Sequence, residues 1–457
     1  MKQQLLRAAI SAILLGSAAK AGADAVIATV ATELEPVAIA IDSVTNKIYV
    51  TAQGYGFSAV TTIINGATDS TTILENSNAY ESGAVAVNPV TNKIYVANYS
   101  SLTNTVTVID GATDDTTSIS TGGTGAIAIN PVTNRIYALN YYGTVTVING
   151  VSNTTTNISV RTGGYFAPYY GAIAVNPVTN KIYVANNDSI GTVTVINGAD
   201  NSTATVSEGK YPFEVAVNPV TNKIYVTNSQ SSTVTVINGA TNSTTAVGVG
   251  TNPEAVAVNQ VTDKIYVANS GSGTVTVIDG MTDSTTTVNV GTDPVAVAVN
   301  QVTDKIYVAN FGNSSANYVD GNVTVIDGAT DSTATVSVGP NLYNGNLGPG
   351  PTAVAVNSVT NMIYVVNFYS NNVSIIDGNL TAVRPIAPQF KTAAMGYNGV
   401  FAVYSLNGRQ LLKTSFSATA TRESILHMNN KNLATGVYKY FFLKDKKVIN
   451  TGSFVVK

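Results

Sequence analysis

The chain of 457 residues contains no cysteine, no tryptophan and a single histidine, His427. Without cysteine it cannot form disulfides, cysteine-zinc sites or thiol nucleophiles, and one histidine disfavours a multi-histidine metal site or a Ser-His-Asp triad. Charged residues make up only 11% of the sequence, with a net charge of −3, whereas soluble proteins average roughly 25%. This argues against electrostatic binding of nucleic acid or of an anionic membrane. The composition therefore disfavours most classes of enzyme.

The first 23 residues have the pattern of a signal peptide. Lys2 and Arg7 give a basic start, residues 8–19 are apolar, and Ala21-Gly22-Ala23 fits the small-residue rule for cleavage. We predict cleavage after Ala23, with Ala19 as the alternative. Because the apolar run is shorter than the roughly 20 residues that span a bilayer, we predict a secreted or outer-cell-surface protein without a membrane span. A lipid-facing anchor is the alternative.

A repeated tripeptide dominates the rest of the sequence. Ile-Tyr-Val, or Ile-Tyr-Ala in one copy, recurs at spacings of 46, 42, 46, 42, 41, 41 and 57 residues, beginning at Ile48, Ile94, Ile136, Ile182, Ile224, Ile265, Ile306 and Ile363. A period of about 40–50 residues indicates a propeller or a solenoid. Within the unit 294–338, four short β-branched runs are separated by Gly, Pro, Asn and Asp, which is the pattern of four antiparallel strands. We therefore predict an all-β, eight-bladed β-propeller over residues 24–384, with seven blades as the alternative.

The repeat also predicts how the blades pack. Near the axis, each unit carries an alanine flanked by valine or isoleucine, such as Ala40 and Ala298. The repeat tyrosines should form a ring of eight wedges between blades, a place that suits a side chain with an apolar body and a hydroxyl that can reach a partner. The Asn-Pro-Val-Thr-Asn segment at 88–92 and the Asp-Gly-Ala-Thr-Asp segment at 110–114 have turn chemistry. Because asparagine replaces the first aspartate of the second motif in other units, we interpret it as a turn rather than a calcium loop.

The two ends of the repeat region indicate how the ring closes. Residues 26–32 match the fourth strand of other units, although they precede the first unit. The last unit, Pro351 to Asp377, is followed only by a weak strand pattern at 380–383. We therefore predict that the N-terminal strand pairs with the last blade and closes the ring without a covalent bond.

The fifth unit contains the sequence Tyr225-Val226-Thr227-Asn228, and other units carry near copies such as Tyr95-Val96-Ala97-Asn98. Over residues 26–384 the chain resembles the YVTN-repeat β-propellers of secreted and surface-layer-like microbial proteins. The resemblance implies a propeller that serves as a binding or surface module. Such propellers share no single catalytic set, so the resemblance specifies the fold more than the function.

Residues 385–457 lack the repeat and carry more lysine and arginine. Strand patterns at 400–406, 410–416, 438–443 and 447–456, with the hairpin signal Asn407-Gly408, predict a small β-sandwich. The segments 403–408 and 436–438, together with Leu433 and the basic end at Lys457, resemble the C-terminal sorting domain of type IX secretion cargo. The resemblance implies that residues 391–457 engage the type IX secretion machinery. The alternative is an accessory β domain.

Aromatic residues outside the repeat fall in the loops that topology places at one end of the propeller. A rigid scaffold with variable aromatic loops at one end is the usual arrangement of a binding surface. We predict that this end binds a glycan or a cell-surface protein, although some of the rings could instead only cover the end of the ring. The candidate residues are Tyr55, Tyr99, Tyr141, Tyr142, Tyr165, Tyr169, Tyr170, Tyr211, Phe311 and Tyr369, with Phe368 among the further aromatics of these loops.

Three acidic residues interrupt the apolar pattern near the channel mouth. Glu214 occupies a first-strand position that is alanine in the other units, and Glu254 and Asp293 lie at a similar height in the next two units. Three carboxylates could hold a hard cation such as Ca²⁺. We favour solvated acids at the rim of the channel, and we predict no cofactor.

These features favour a non-enzymatic, exported propeller that binds partners or is displayed at the cell surface. The first alternative is a lactonase-like or lyase-like enzyme, which needs a metal or an acid/base set in the channel. The channel strands are nearly all Ala, Val and Ile, which argues against it. The second alternative is a structural surface-layer protein that self-associates.

Overall fold

The structure is a computed structural model. It describes residues 24–53, 59–76, 81–99, 104–141, 143–160, 172–187, 189–207, 209–312, 321–339, 350–379, 399–405, 410–416, 436–444 and 447–456. The chain divides into two compact units, Met1–Thr381 and Ala382–Lys457. Within the described residues, no helix is both long enough and apolar enough to cross a membrane.

Eight four-stranded antiparallel sheets follow one another in the first unit and form the blades of a propeller. In blades 1 to 7 the chain passes from the innermost strand to the outermost in sequence order. The strands of blades 1 to 4 are β2 (Pro36–Asp42), β3 (Lys47–Ala52), β4 (Ala59–Asn65) and β5 (Thr71–Asn76); β6 (Glu81–Asn88), β7 (Lys93–Tyr99), β8 (Thr105–Asp110) and β9 (Thr116–Ser120); β10 (Thr124–Asn130), β11 (Arg135–Asn140), β12 (Thr144–Asn149) and β13 (Thr155–Ser159); and β14 (Ile173–Asn176), β15 (Lys181–Asn186), β16 (Thr192–Asn197) and β17 (Thr203–Ser207).

The remaining blades continue the same pattern. Their strands are β18 (Pro212–Asn218), β19 (Lys223–Asn228), β20 (Thr233–Asn238) and β21 (Thr244–Gly248); β22 (Pro253–Asn259), β23 (Lys264–Asn269), β24 (Thr274–Asp279) and β25 (Thr285–Asn289); β26 (Pro294–Asn300), β27 (Lys305–Asn310), β28 (Asn322–Asp327) and β29 (Thr333–Ser337); and, in blade 8, β30 (Pro351–Asn357), β31 (Met362–Asn367) and β32 (Asn372–Asp377). A short 3-10 turn, Ser270–Ser272, follows β23.

The N-terminal strand completes blade 8, as the sequence predicts. β1 (Ala25–Ala31) pairs antiparallel with β32, in the register Ala25 to Asp377 and Ala31 to Asn372. Each innermost strand contacts that of the next blade, and β30 contacts β2. The ring is therefore closed and has eight blades, so the seven-bladed alternative is wrong. The weak strand pattern at 380–383 lies outside the described residues.

The apolar core lies between the blades rather than within them. Eight clusters each join one face of a blade to the facing side of the next. Between blades 3 and 4, for example, Tyr137 and Val145 share a cluster with Ile182 and Val184. Burying branched side chains in this way supplies most of the driving force for closure.

The repeat tyrosines form the predicted ring of wedges, since all eight are at most 1% exposed. Their hydroxyls differ from the expectation. The Tyr307 hydroxyl donates to Asp24 Oδ2 at 3.0 Å, but no partner is described for the hydroxyls of Tyr49, Tyr95, Tyr183, Tyr225 and Tyr266. Burial raises the pKa of Tyr95 and of Tyr183 to about 12. At this position the buried aromatic ring of tyrosine is therefore more important than a hydrogen bond from its hydroxyl.

A closed series of side-chain hydrogen bonds links each blade to the next; we call it the asparagine belt. In seven of the eight links, the Asn that ends a first strand donates its amide nitrogen to the Asn or Asp that ends the first turn of the following blade, at 2.7–2.9 Å in six pairs. In the eighth link, Asp42 accepts from the Asn92 amide nitrogen at 2.9 Å. The pairs are Asn88–Asn134, Asn130–Asn180, Asn176–Asn222, Asn218–Asp263, Asn259–Asp304, Asn300–Asn361, Asn357–Asn46 and Asp42–Asn92.

The turn motif therefore has two functions. In blade 4, Asn176 Oδ1 accepts from the backbone nitrogens of Val178 and Thr179 at 3.0 and 3.3 Å, which stabilises the turn. Its Nδ2 atom donates to Asn222 of blade 5 at 2.9 Å. The Asp-Gly turns are confirmed as turns, because Asp110 and its counterpart Asn149 both accept from backbone nitrogens two and three residues later.

A second link between blades comes from the basic residue that precedes Ile-Tyr-Val. In blades 1 to 7 this Lys or Arg donates to a glycine carbonyl in the next blade, at 2.5–3.5 Å. Lys305 of blade 7 also pairs with Asp24 Oδ1 at 2.5 Å. Blade 8 has Met362 at this position, so the seam between blades 8 and 1 lacks the link.

The second unit contains a single described sheet, and only its backbone is described. Its strands are β33 (Gly399–Ser405), β34 (Gln410–Phe416), β35 (Gly436–Lys444) and β36 (Lys447–Val456), in the antiparallel order β34-β33-β35-β36. Both predicted hairpins are present. Asn407-Gly408, Leu433, His427 and Lys457 lie outside the described residues.

Candidate functional site

The two ends of the propeller differ in the regularity of their loops. One end, which we call the turn face, carries the connections from first to second strands and from third to fourth strands. The former are all four residues long and the latter all five, counted between consecutive strands. This uniformity reflects the asparagine belt and the inter-blade lysine links, both of which need an identical turn in each blade.

The other end, which we call the variable face, carries the connections from second to third strands and from one blade to the next. These range from 3 to 13 residues. The longest are 160–172 and 338–350, between blades, and 311–321, within blade 7. The predicted concentration of variable loops on one face is therefore confirmed. Loops carried by a rigid scaffold in this way can differ in length and sequence without disturbing the fold.

Backbone hydrogen bonds fix the described loops of the variable face to one another. The nitrogen of Phe311 donates to the Asp293 carbonyl at 2.8 Å, and that of Phe368 donates to the Gly350 carbonyl at 3.0 Å. Equivalent bonds join Tyr141 to Gly123 and Ser229 to Tyr211. In these four blades, the loop after the second strand is thus supported by the loop that enters the same blade.

Three aromatic rings meet at the junction of blades 7 and 8; we call them the aromatic cluster. Tyr369 lies with its ring centroid 5.5 Å from that of Phe311 and 5.2 Å from that of Phe368, the latter pair edge to face. Both distances are within the favourable range for aromatic pairs. All three rings remain partly exposed. The cluster therefore presents a preformed, partly apolar surface.

Gly350 makes the cluster possible. Its backbone has φ of +56°, and a Cβ atom there would lie 2.6 Å from Tyr369 Cδ2. Only glycine combines this conformation with such a close approach of an aromatic ring. The sequence-predicted residues Phe311 and Tyr369 thus come together, around a glycine that sequence reasoning did not single out.

The other candidate aromatics do not join this cluster. Tyr141 in blade 3 and Tyr211 in blade 5 are half-buried, and Tyr141 packs beside Gly123. Tyr211 adopts a left-handed backbone conformation with φ of +54°. The side chain of Tyr99 and the whole of Tyr55, Tyr142, Tyr165, Tyr169 and Tyr170 lie outside the described residues.

Glu214 is not the solvated rim acid that the sequence suggested. Its Oε2 atom accepts from the backbone nitrogen of Val256 in blade 6 at 2.8 Å. Its own nitrogen donates to Thr227 Oγ1 at 3.0 Å, across an irregularity in β18 between Pro212 and Val215. Some of its surface is accessible from the channel, yet burial raises the pKa of its carboxyl to about 7. The carboxyl group is thus desolvated by the protein atoms around it, although part of the residue's surface remains accessible.

Glu254 and Asp293 are also partly buried. Glu254 Oε1 accepts from Asn252 Nδ2 at 2.7 Å and from Ser270 Oγ at 2.9 Å. Burial, and to a lesser degree the negative charge of Asp293, raise the pKa of Glu254. Burial likewise raises the pKa of Asp293. Within the described ranges, no three His, Cys, Asp or Glu side chains are grouped so that they could hold a metal ion.

The raised pKa of Glu214 predicts that acid stabilises the propeller. Since the folded state favours the neutral carboxyl, this contribution is fully present below about pH 4.5 and is lost as the pH rises through about 7. The shift corresponds to about 2–3 kcal/mol of unfolding free energy between pH 4.5 and pH 8. Glu214→Gln should remove this pH dependence. Denaturant unfolding at both pH values measures it, with Asp115→Asn on an exposed turn as the control. An unchanged pH profile in Glu214→Gln would contradict the assignment.

The turn face carries an apolar feature that sequence reasoning overlooked. The central valine of each first turn is 64–75% exposed in every blade. The set consists of Val44, Val90, Val132, Val178, Val220, Val261, Val302 and Val359. Their identical positions in the closed ring place eight exposed valines around one face, and the signal was present in the repeat itself.

Comparison with solved structures identifies the fold. The chain is similar to the crystal structure of the C-terminal WD40 domain of Sif2, with a TM-score of 0.60 and 12% identity, over 79% of this chain and 99% of that domain. No protein-family model matches the sequence, and no curated protein matches it either. The YVTN-repeat and sorting-domain resemblances therefore stay predictions. The described propeller has an eight-bladed, WD40-like β-propeller fold.

Proposed function

We propose that this protein is a secreted or cell-surface, non-enzymatic interaction module that binds its partner through the variable face. The observation that carries the proposal is the confinement of loop variation and of the aromatic cluster to one end of an otherwise regular ring. A binding site needs local differences between blades, whereas the fold needs uniform turns. The propeller separates these two requirements between its two faces.

The sector between blades 6 and 8 indicates the chemistry of the partner. Asp293 is bonded through its carbonyl to Phe311 and is close enough to Glu254 to raise its pKa. Aromatic rings beside carboxyl groups attract cationic side chains through the faces of the rings and through charge. We therefore favour a cell-surface protein with basic groups as the partner, and a glycan as the alternative.

Removing the aromatic cluster should weaken binding. We expect Phe311→Ala/Tyr369→Ala to reduce retention of the protein on partner-bearing cell-envelope extract at least tenfold, because it removes the preformed apolar contact. Val302→Ala, on the turn face of blade 7, is the matched control and should bind as the wild type does. A glycan array measured in parallel separates the two classes of partner. Equal retention of both variants would contradict the proposal.

The C-terminal module is proposed as the export signal. It forms a separate compact unit, and its resemblance to type IX cargo supports this role. Deleting residues 391–457 should leave the propeller folded but retain it inside the outer membrane. Cell fractionation with antibody against the propeller measures this. Unchanged secretion of the truncated chain would show that the module is not an export signal.

The ring of exposed valines favours one second candidate, a structural protein that self-associates through the turn face. Apolar groups repeated around one end present a surface that a second copy could match. Light scattering of the secreted protein distinguishes a monomeric binder from an assembly. Under the leading proposal, the protein is a monomer at micromolar concentration.

A further inference from the structure

The seam between blades 1 and 2 differs from the other seven. Its core cluster contains five buried residues, Tyr49, Ile63, Ile94, Val96 and Ile109, whereas the other clusters contain seven to ten. A cavity of about 170 Å³ occupies the space that remains. We call it the seam cleft, and it is lined by Thr61, Leu74, Glu75, Ser82, Val96, Asn98, Thr107, Ile109, Thr116 and Ser118.

Substitutions within the repeat make this cleft polar. Thr61 stands where the strand register of the other seven blades places valine, as at Val106. Glu75 stands where blade 2 has Ser120. Ser82 stands where five blades have proline, as at Pro36. Each replacement exchanges an apolar or small residue for one that can bond to a ligand, and all three residues belong to the lining of the same cleft.

The floor of the cleft consists of nearly buried polar residues. Thr61 is only 5% exposed, and it belongs to the lining of the cleft. Beside it, Ser82 donates to Asn98 Oδ1 at 3.3 Å, and Asn98 Nδ2 donates to Thr107 Oγ1 at 2.7 Å.

The mouth of the cleft is open to solvent. Glu75, Thr116 and Ser118 are exposed and lie on the outermost strands β5 and β9. Leu74, Val96 and Ile109 supply an apolar strip. Glu75 is the charged residue of the lining, which carries no Lys, Arg or His; anionic ligands such as phosphates are therefore disfavoured.

We propose that the seam cleft binds a small, uncharged, polyhydroxylated ligand of monosaccharide size. Hydroxyl and amide groups around a short apolar strip match the alternating polar and apolar surfaces of a sugar ring. The cleft is smaller than the roughly 300–1,000 Å³ of sites for larger ligands, so it accepts one sugar unit. It lies in the wall of the propeller and does not depend on the variable face.

The test is saturation-transfer NMR on the full-length protein, with glucose, galactose, mannose and N-acetylglucosamine as separate probes. We expect saturable transfer from at least one of them. Thr61→Val and Glu75→Ser should each weaken its binding at least tenfold, because each installs a residue that other blades carry at that position. Thr72→Val, on the exposed surface of β5 and outside the lining, should bind as the wild type does.

Thermal unfolding of the same variants separates loss of binding from loss of fold. Thr61→Val should melt no lower than the wild type, since seven blades already have valine there, and Glu75→Ser changes only an exposed position. Absence of saturable transfer from all four sugars would show that the cleft holds only water and would overturn the proposal. Binding that is equally strong in Thr61→Val and Glu75→Ser would overturn it too, by placing the sugar elsewhere.

Discussion

A chain that lacks residues 24–31 is expected to lose the cooperative unfolding transition of the propeller. β1 covers Val373 and Ile375, with which Val30 shares a buried cluster. Its loss removes six register pairs with β32 and the bonds from Asp24 to Lys305 and Tyr307. Burial of two or three branched side chains and several ladder bonds together contribute about 5–10 kcal/mol. Because total stabilities are about 5–15 kcal/mol, little or none would remain.

Circular dichroism melting and gel filtration measure this result. A synthetic peptide of residues 24–31 added in trans should restore the transition, and a peptide of the same composition in scrambled order should not. A truncated chain that melts within about 2 °C of the full-length chain would contradict the account of closure.

The second large effect is expected from a single change in the asparagine belt. In Asn218→Asp, the new carboxylate would face Asp263, whose Oδ1 atom lies 2.7 Å from the present amide nitrogen. Two carboxylates at this distance cannot both ionise without a large penalty. We expect a loss of about 2–4 kcal/mol of unfolding free energy at pH 8. The loss should decrease towards pH 4, because the folded pair binds a proton more tightly than the unfolded chain does.

The same substitution elsewhere in the belt provides a matched control. Asn88 donates to the side chain of Asn134, whose amide can rotate to donate to a carboxylate. Asp42 and Asn92 already form such a pair between blades 1 and 2. Asn88→Asp should therefore cost less than about 1 kcal/mol. Chemical denaturation at both pH values compares the two variants, and equal losses would show that the belt is not a chain of paired donors and acceptors.

The propeller could be predicted from the sequence because its main determinants repeat. Ile-Tyr-Val, or Ile-Tyr-Ala in blade 3, marks the second strand of each blade, and its tyrosine is buried at every one of the eight seams. The match between residues 26–32 and the fourth strands of other units predicted the closure by β1. In both cases the prediction came from comparing the eight repeat units with one another, because each unit forms the same kind of blade.

The belt could not be predicted in the same way. Each belt asparagine is sufficient to explain its own turn, so nothing in the local sequence requires a second bond. The partner lies in the next blade, as Asn222 does for Asn176, and only the closed ring brings the two together. A signal was present, because the residue that ends each first turn is always Asn or Asp, as Asn46 and Asp263 illustrate.

The binding face was predicted only in outline. Topology determines which loops share a face, and the aromatics mark those loops. The conformation of each loop then decides which rings meet, and this depends on details such as the left-handed backbone of Gly350. The same limit explains the wrong expectation for Glu214, whose side chain bonds to the backbone of the next blade instead of remaining in solvent.

Closure of an eight-bladed ring by its own first strand is the central claim, because both faces exist only in a closed ring. The absence of cysteine makes a direct test possible. Ala25 and Asp377 are partners in the register of β1 and β32. In the double variant Ala25→Cys/Asp377→Cys, mild oxidation followed by mass spectrometry of peptic fragments should show one intramolecular disulfide that links the two strands. Two free thiols, or disulfides only between molecules, would contradict the closed ring.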